Sequence, residues 1–310
     1  MKRILPVLLI LVMLVGCRPA EVSAEKTIFC MDTVMNLQIW GPESQQAMEA
    51  VEQMLLELEK TWSVSNDASF LNALNRGEGK PDAQQQAFLN KALELRSRTS
   101  GAFDPMLQKV VALWGFYDKN YRVPQAVELA TALQEDAWDL GAVVKGYAGL
   151  LASQLLERYD VSRAILNLGG NIQTFGQKTD GSSWSIGIQD PAGEGHVGVL
   201  SVSGTMAVVT SGDYQRYFIE NDRLYHHILD PKTGVPADTG ITSVTVICAD
   251  GTVADALSTA LFVMGLEDGL KLWKRSTDFE AVFLMKNGRI YATEGAKLSG
   301  CDYEVIRREN

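Results

Sequence analysis

The apolar positions of this chain change rhythm part-way along. In the first half they recur every three or four residues, the spacing that lines one face of a helix. Over residues 44–60, Val51, Met54, Leu55 and Leu58 keep that spacing, and Ser44 is placed to cap the helix. Residues 82–99 read as a second amphipathic helix, stopped by Ser100-Gly101. Residues 62–75 are polar and read as a loop entering a short helix. Further helices are expected over 106–114, after the turn Ala102-Phe103-Asp104-Pro105, over 124–133, and over most of 139–159. Strand-forming residues mark 27–40 and then dominate from 163 onward, at 163–168, 183–189, 198–202, 207–210, 223–229 and 243–249. The last of these is β-branched enough to sit centrally in a sheet. Asp250-Gly251 turns into a helix over 253–264, followed by another over 266–275. Residues 281–286 and 289–292 pair across Asn287-Gly288. No internal repeat or low-complexity linker interrupts the pattern. Helices crowd the first half and strands the second, which predicts an α+β fold.

Composition adds bounds. The chain has 310 residues, 46% hydrophobic and 21% charged, ordinary for a protein with a full core. Its net charge of −10 argues against nucleic acid as a partner. A local site can still oppose that sign. At the N-terminus, Lys2 and Arg3 precede an apolar run over 4–15, shorter than the ~20 residues a bilayer span needs. Gly16-Cys17 at its end resembles a bacterial lipoprotein signal, against the competing reading of a plain secretory signal. On the first reading residues 1–16 are removed, Cys17 is acylated, 17–26 is a tether and 27–310 is the folded domain. The protein is then expected outside the cytoplasm, lipid-anchored to the cell membrane and facing the periplasm or the cell exterior. Cys30, Cys248 and Cys301 lack zinc-site spacing, and an exported chain admits one disulfide among them.

The chemistry-bearing residues are individually ambiguous. Asp255 and Thr259 are four apart on a predicted helix and share a face, a hard-oxygen pair suited to Mg²⁺. The same Asp255 could close a capping box with Thr252. Asp139 and Lys145 flank Gly141 and precede Gly146, where backbone can approach a phosphate and Lys can meet it. Taken alone, these residues are better read as a helix-capping Asp with a solvated Lys. Gly169-Gly170 allows close approach or a plain turn. His226 and His227 are adjacent in an extended segment, so they face opposite ways and one at most serves a site. His196 lies in a Gly-rich loop and is expected on the surface. Ser211, in Thr-Ser-Gly-Asp, is not an esterase elbow, and neither a Walker loop nor a Rossmann fingerprint is present.

Taken together and in order, these blocks resemble the ApbE family of FAD:protein FMN transferases. The matching blocks are Met31-Asp32-Thr33, Ser69-x-Leu-x-x-Leu-Asn75, Gly101-Ala-Phe-Asp-Pro105 and Asp139-Leu-Gly-Ala-x-x-Lys-Gly-Tyr147. They continue with Leu166-Asn-Leu-Gly-Gly-Asn171, Thr210-Ser-Gly-Asp213, His227-Ile-Leu-Asp-Pro-x-Thr-Gly234 and Asp255-Ala-Leu-Ser-Thr259. The resemblance implies a two-lobed single catalytic domain with mixed sheets, a T-fold-like core and peripheral helices. It implies FAD as substrate, Mg²⁺ as cofactor, and transfer of FMN to a Thr or Ser hydroxyl of a partner protein with release of AMP. By the same route Ala142 (through its carbonyl), Asp255, Ser258 and Thr259 would hold Mg²⁺. Met31, Ala102, Phe103, Asp104, Asp139, Lys145 and Ile228 would contact FAD. His227 would lie at the reacting phosphate as the base, with Asp213 as second candidate. Implied acceptors are FMN-bearing subunits of respiratory redox complexes. Two further readings keep the site: water as acceptor, giving an FAD pyrophosphatase, and a flavin-binding lipoprotein without turnover. Two departures stand out: Ser65 replaces a common aromatic, and a hairpin-length segment before Asp139 is absent.

Overall fold

A nine-stranded sheet organises the computed structural model, which describes residues 21–308. Cys17 and the apolar run before it lie outside the described residues. The chain enters through the hairpin β1 (Ser23–Cys30) and β2 (Thr33–Trp40). Sheet therefore starts at Ser23, inside the stretch expected to be tether. The helices α1 (Ser44–Trp62), α2 (Phe70–Asn75), α3 (Ala83–Arg98), α4 (Gln108–Leu113), α5 (Ala126–Ala132) and α6 (Val144–Leu156) follow. Asp82 caps α3 in a reciprocal box with Gln85. Ser44 does not cap α1: Glu43 stands at that position, and Ser44 is the first helical residue, buried.

The second half is strand-rich. It runs β3 (Arg163–Leu168), β4 (Asn171–Phe175), β5 (Trp184–Gln189), β6 (His196–Val202) and β7 (Ala207–Gly212). The short pair β8 (Tyr217–Glu220) and β9 (Arg223–His226) comes next, then β10 (Ile241–Cys248) and α7 (Gly251–Arg275). The chain closes with β11 (Phe279–Met285), β12 (Ile290–Thr293), β13 (Leu298–Ser299) and β14 (Glu304–Ile306). α7 breaks at Gly265 (φ 80°, ψ 172°), so two helices lie end to end, as the sequence predicts.

The main sheet runs β1-β2-β3-β4-β7-β10-β11-β12-β14, with β13-β6-β5 and β8-β9 as separate small sheets. Among these strands only β12 and β14 pair in parallel. β10 is central, and its side chains divide between two faces: Val244, Val246 and Cys248 meet the helices, while Ile247 meets the small sheet. The helix-side core joins Met35, Leu55, Leu166, Val246, Leu257 and Phe283. A second cluster packs Trp184, Ile186 and Leu200 on the opposite sheet face. A third, around Trp114, Phe116 and Leu129, supports the β8–β9 hairpin through Phe218 and Tyr225. The α+β class with mixed sheets in one domain stands. The three remaining cysteines are free, so no disulfide forms among them.

Candidate active site

The site is built where α6 and α7 touch. A Cβ added to Gly146 would lie 2.0 Å from the Gly251 carbonyl oxygen and 2.6 Å from Asp255 Cβ. No side chain fits there, and the two helix starts meet backbone to backbone. That contact lets Gly146 N–H donate to Asp255 Oδ2 at 2.8 Å, rather than back to the Ala142 carbonyl one turn earlier. The capping reading of Asp255 is overturned. Asp250 caps α7, accepting from Thr252 N–H at 2.8 Å and Val253 N–H at 3.3 Å. Asp255 is 4% exposed. Burial pushes its carboxyl up, while the Lys145 charge and the Gly146 N–H hold it down. Burial lowers Lys145 in turn, against the pull of Asp255.

A chain of hydroxyls lies beside Asp255. Ser258 Oγ donates to the Asp255 carbonyl at 2.8 Å, so it accepts from Ser211 Oγ at 2.7 Å. Ser211 then accepts from Thr259 Oγ1 at 3.2 Å. Thr259 oxygen lone pairs are left open, whereas the wholly buried Ser258 is spent on its neighbours. Among the described residues, no group of three or more His, Cys, Asp and Glu could hold a metal. A carboxylate, a hydroxyl and a backbone carbonyl are the oxygen types that Mg²⁺ takes when it keeps positions for water and phosphate.

The histidines separate as their strand position predicts. His226 is 4% exposed; its Nε2 donates to the Ala237 carbonyl at 3.0 Å and its Nδ1 accepts from Ile228 N–H at 3.3 Å. Both bonds fix one neutral tautomer, and burial depresses its pKa to about 4. His227 is half-buried and donates from Nδ1 to the Arg216 carbonyl at 3.1 Å, which leaves Nε2 as an open acceptor. Burial, then the Arg216 charge, hold His227 well below the ordinary histidine value, so the ring is neutral near pH 7.

Around this centre the predicted contacts divide. Asp139 spends both oxygens on the fold: Oδ1 accepts from Gly141 N–H at 2.8 Å and Oδ2 from Tyr117 OH at 2.6 Å. Asn75 clamps the preceding peptide, accepting from Trp138 N–H at 2.7 Å and donating to the Trp138 carbonyl at 3.0 Å. Asn75 and Tyr117 thus support the loop next to the absent segment. Phe103 is 1% exposed and Ile228 3%, both side chains in the core. Their side chains are spent on the core, which leaves the backbone as what either can offer a flavin. Ala102 packs half-buried beside Phe103. Asp104 pairs with Arg96 at 2.9 Å and accepts from Met106 N–H at 3.0 Å. Met31 and Asp32 hold positive φ (53° and 57°) in the β1–β2 turn, with Met31 N–H on Glu59 Oε1 at 2.9 Å. For Met this is an uncommon conformation. Gly169 is explained by packing, since a Cβ there would lie 2.3 Å from Thr33 Cγ2. Asp213 is half-buried; burial raises it, and the opposing charge is Lys286. The turn after His227 is tied down by Trp114 Nε1, which donates to the Gly234 carbonyl at 2.7 Å. His196 is exposed at the start of β6, as expected.

Tyr117, Asn75, Arg216 and Ser211 were not signalled as site residues by spacing. Ser211 and Asn75 lie inside quoted blocks and Arg216 next to one, whereas Tyr117 lies in none.

Comparisons with known proteins agree with this fold. The family model described as the ApbE family matches residues 31–283. The FAD:protein FMN transferase of Treponema pallidum (strain Nichols) is 34% identical, over 82% of this chain and 81% of its own. That of Klebsiella pneumoniae (strain 342) is 33% identical, over 64% of this chain and 67% of its own. Among solved structures, the ApbE protein of Thermotoga maritima superposes with a TM-score of 0.82 at 30% identity, covering 88% of this chain and 98% of its own. The flavinyl transferase ApbE of Pseudomonas stutzeri, in its apo form, gives 0.76 at 28% identity, covering 88% and 95%. With its matched region, its fold and its ordered blocks in agreement, this chain belongs to the ApbE family.

Proposed function

We propose that this chain is an FAD:protein FMN transferase. The observation that carries the chemistry is His227, a neutral ring anchored at Nδ1, open at Nε2, and within electrostatic reach of Lys145. In the reaction, a Thr or Ser hydroxyl of the acceptor attacks the phosphorus of the FMN half of FAD. The P–O bond to AMP breaks, its electron pair leaves with AMP, and the hydroxyl proton passes to His227 Nε2. An imidazole kept neutral at pH 7 is ready to take that proton. Asp213, raised by burial against the charge of Lys286, is the second candidate base.

Asp255, the Thr259 hydroxyl and the Ala142 carbonyl would hold Mg²⁺; Ser258 acts through Ser211 and Thr259 instead. Bound there, the ion supplies charge neutralisation at phosphate oxygens. Lys145 adds a point charge for the pyrophosphate. Met31, Ala102, Asp104 and the Asp139 loop line the flavin-binding side, with Asp139 acting by fixing its loop. The acceptors are FMN-bearing subunits of respiratory redox complexes, met outside the cytoplasmic membrane by a protein anchored through Cys17.

Incubation with FAD, Mg²⁺ and an FMN-acceptor domain tests the reading. Acceptor fluorescence in a denaturing gel, with matching AMP release, is expected. AMP without labelled acceptor would point to pyrophosphatase activity, and neither product would sink both enzymatic readings.

A further inference from the structure

Arg216 precedes β8 and His227 follows β9, while Tyr217 pairs with His226 across the hairpin. The flanking residues extend that antiparallel ladder: His227 N–H donates to the Arg216 carbonyl at 3.1 Å, and so does Nδ1. Residues directly opposed in such a ladder put their side chains on one face, Cβ atoms about 5 Å apart. By the alternation of the strands, this face is shared with Phe218 and Tyr225, which pack on Trp114. The other face carries Tyr217, Ile219 and Leu224 into solvent. Arg216, itself exposed, is therefore on the hairpin face it shares with His227. Its charge also reaches Tyr117 and Lys145, and adds to the burial that depresses Lys145.

Among the described residues no carboxylate pairs with the Arg216 guanidinium. That is notable in a chain with 38 acidic and 28 basic residues. Of the two cations near His227, Lys145 feels the carboxylates of Asp255 and Asp139, whereas Arg216 has no such partner among the described residues. A guanidinium without a carboxylate partner is available to an external anion. A guanidinium is matched to phosphate, because its planar donors meet two oxygens at once.

We propose that Arg216 is a substrate-binding residue that holds the pyrophosphate of FAD beside His227. This rests on the transferase reading above and deepens it. As the P–O bond to AMP breaks, Arg216 neutralises the charge gathering on the departing phosphate, while His227 Nε2 takes the acceptor proton. The same backbone carbonyl orients His227, so replacing the Arg216 side chain removes the guanidinium and leaves the base anchored.

The test compares wild type with Arg216→Gln and Arg216→Met, titrated with FAD, ADP and riboflavin, with melting curves as a fold control. Loss of a charge-assisted hydrogen bond predicts about 10- to 100-fold weaker binding of FAD and ADP in both variants. Riboflavin, which carries no phosphate, should bind all three proteins alike. FAD and ADP affinities within twofold of wild type would overturn the proposal, as would a parallel loss for riboflavin. Wild-type protein that binds FAD but forms neither AMP nor labelled acceptor would sink the enzymatic reading alone. Turnover undisturbed in both variants would sink Arg216 alone.

Discussion

Two adjacent histidines in this chain have opposite fates, and the cause is the backbone. In an extended strand His226 must face the core and His227 the site. His226 is locked neutral between a carbonyl acceptor and an N–H donor, at a pKa of about 4. An unfolded histidine titrates near 6.5. Between those values the unfolded chain binds a proton that the folded chain refuses. Stability therefore falls as pH drops through this window, by about 3 kcal/mol in all for this one group. Urea unfolding at pH 7 and pH 4 should show that a His226→Gln variant lacks this share of the acid loss. Equal acid losses in variant and wild type would refute the assignment. His227 has its own expected outcome. His227→Ala should keep FAD affinity within a few fold and lose transfer by roughly 10²–10⁴-fold, the usual contribution of a positioned base. Full transfer in that variant rules the base out. That one histidine at most is functional was legible in the sequence, because alternation along a strand is local. Which atoms of Asp139, Phe103 and Ile228 stay free was not, because their partners come from elsewhere in the chain.

At the scale of elements, the crossing of α6 and α7 decides the site. Gly146 reads in sequence as a place for ligand to approach, yet its close neighbour is the backbone of Gly251. Gly146→Ala puts a methyl where neither helix backbone can yield, so the helices must separate. Overpacking of this kind costs about 1–3 kcal/mol. It also draws the Gly146 N–H away from Asp255. Denaturant midpoint and transfer rate should fall together in this variant; a normal value for either contradicts the geometry. The helices α1 and α3 and the strand β3 were legible because their apolar period matches their burial. β4 was not: it buries Asn171, Gln173 and Thr174, polar residues with no alternation to announce a strand. β8, four residues long, is likewise too short and exposed to show a period. The cap of α7 was misplaced by one choice among near neighbours, since Asp250 and Thr252 both fit the start of a helix.

At the scale of the whole molecule, the ordered blocks are pieces of one surface assembled by a nine-stranded sheet. Their order carried the family, while the support for the Asp139 loop comes from Asn75, whose block does not announce that contact, and from Tyr117, outside every block. The remaining question of scale is where this surface works. Among the described residues no helix is long and apolar enough to cross a membrane. On the lipoprotein reading the anchor is Cys17, and sheet begins at Ser23. The five residues between them let the two ends lie at most about 20 Å apart, which would keep the catalytic domain against the membrane and its acceptors within the same layer. Cys17→Ala should then release the protein into the soluble fraction without lowering FMN transfer to a soluble acceptor domain in vitro. Labelling of membrane-bound acceptors in cells should drop, since tethering raises effective concentration without changing the site. Fractionation and in-gel flavin fluorescence of the same cells read both effects. A Cys17→Ala protein that still sediments with membranes would mean that something other than this lipid holds it there.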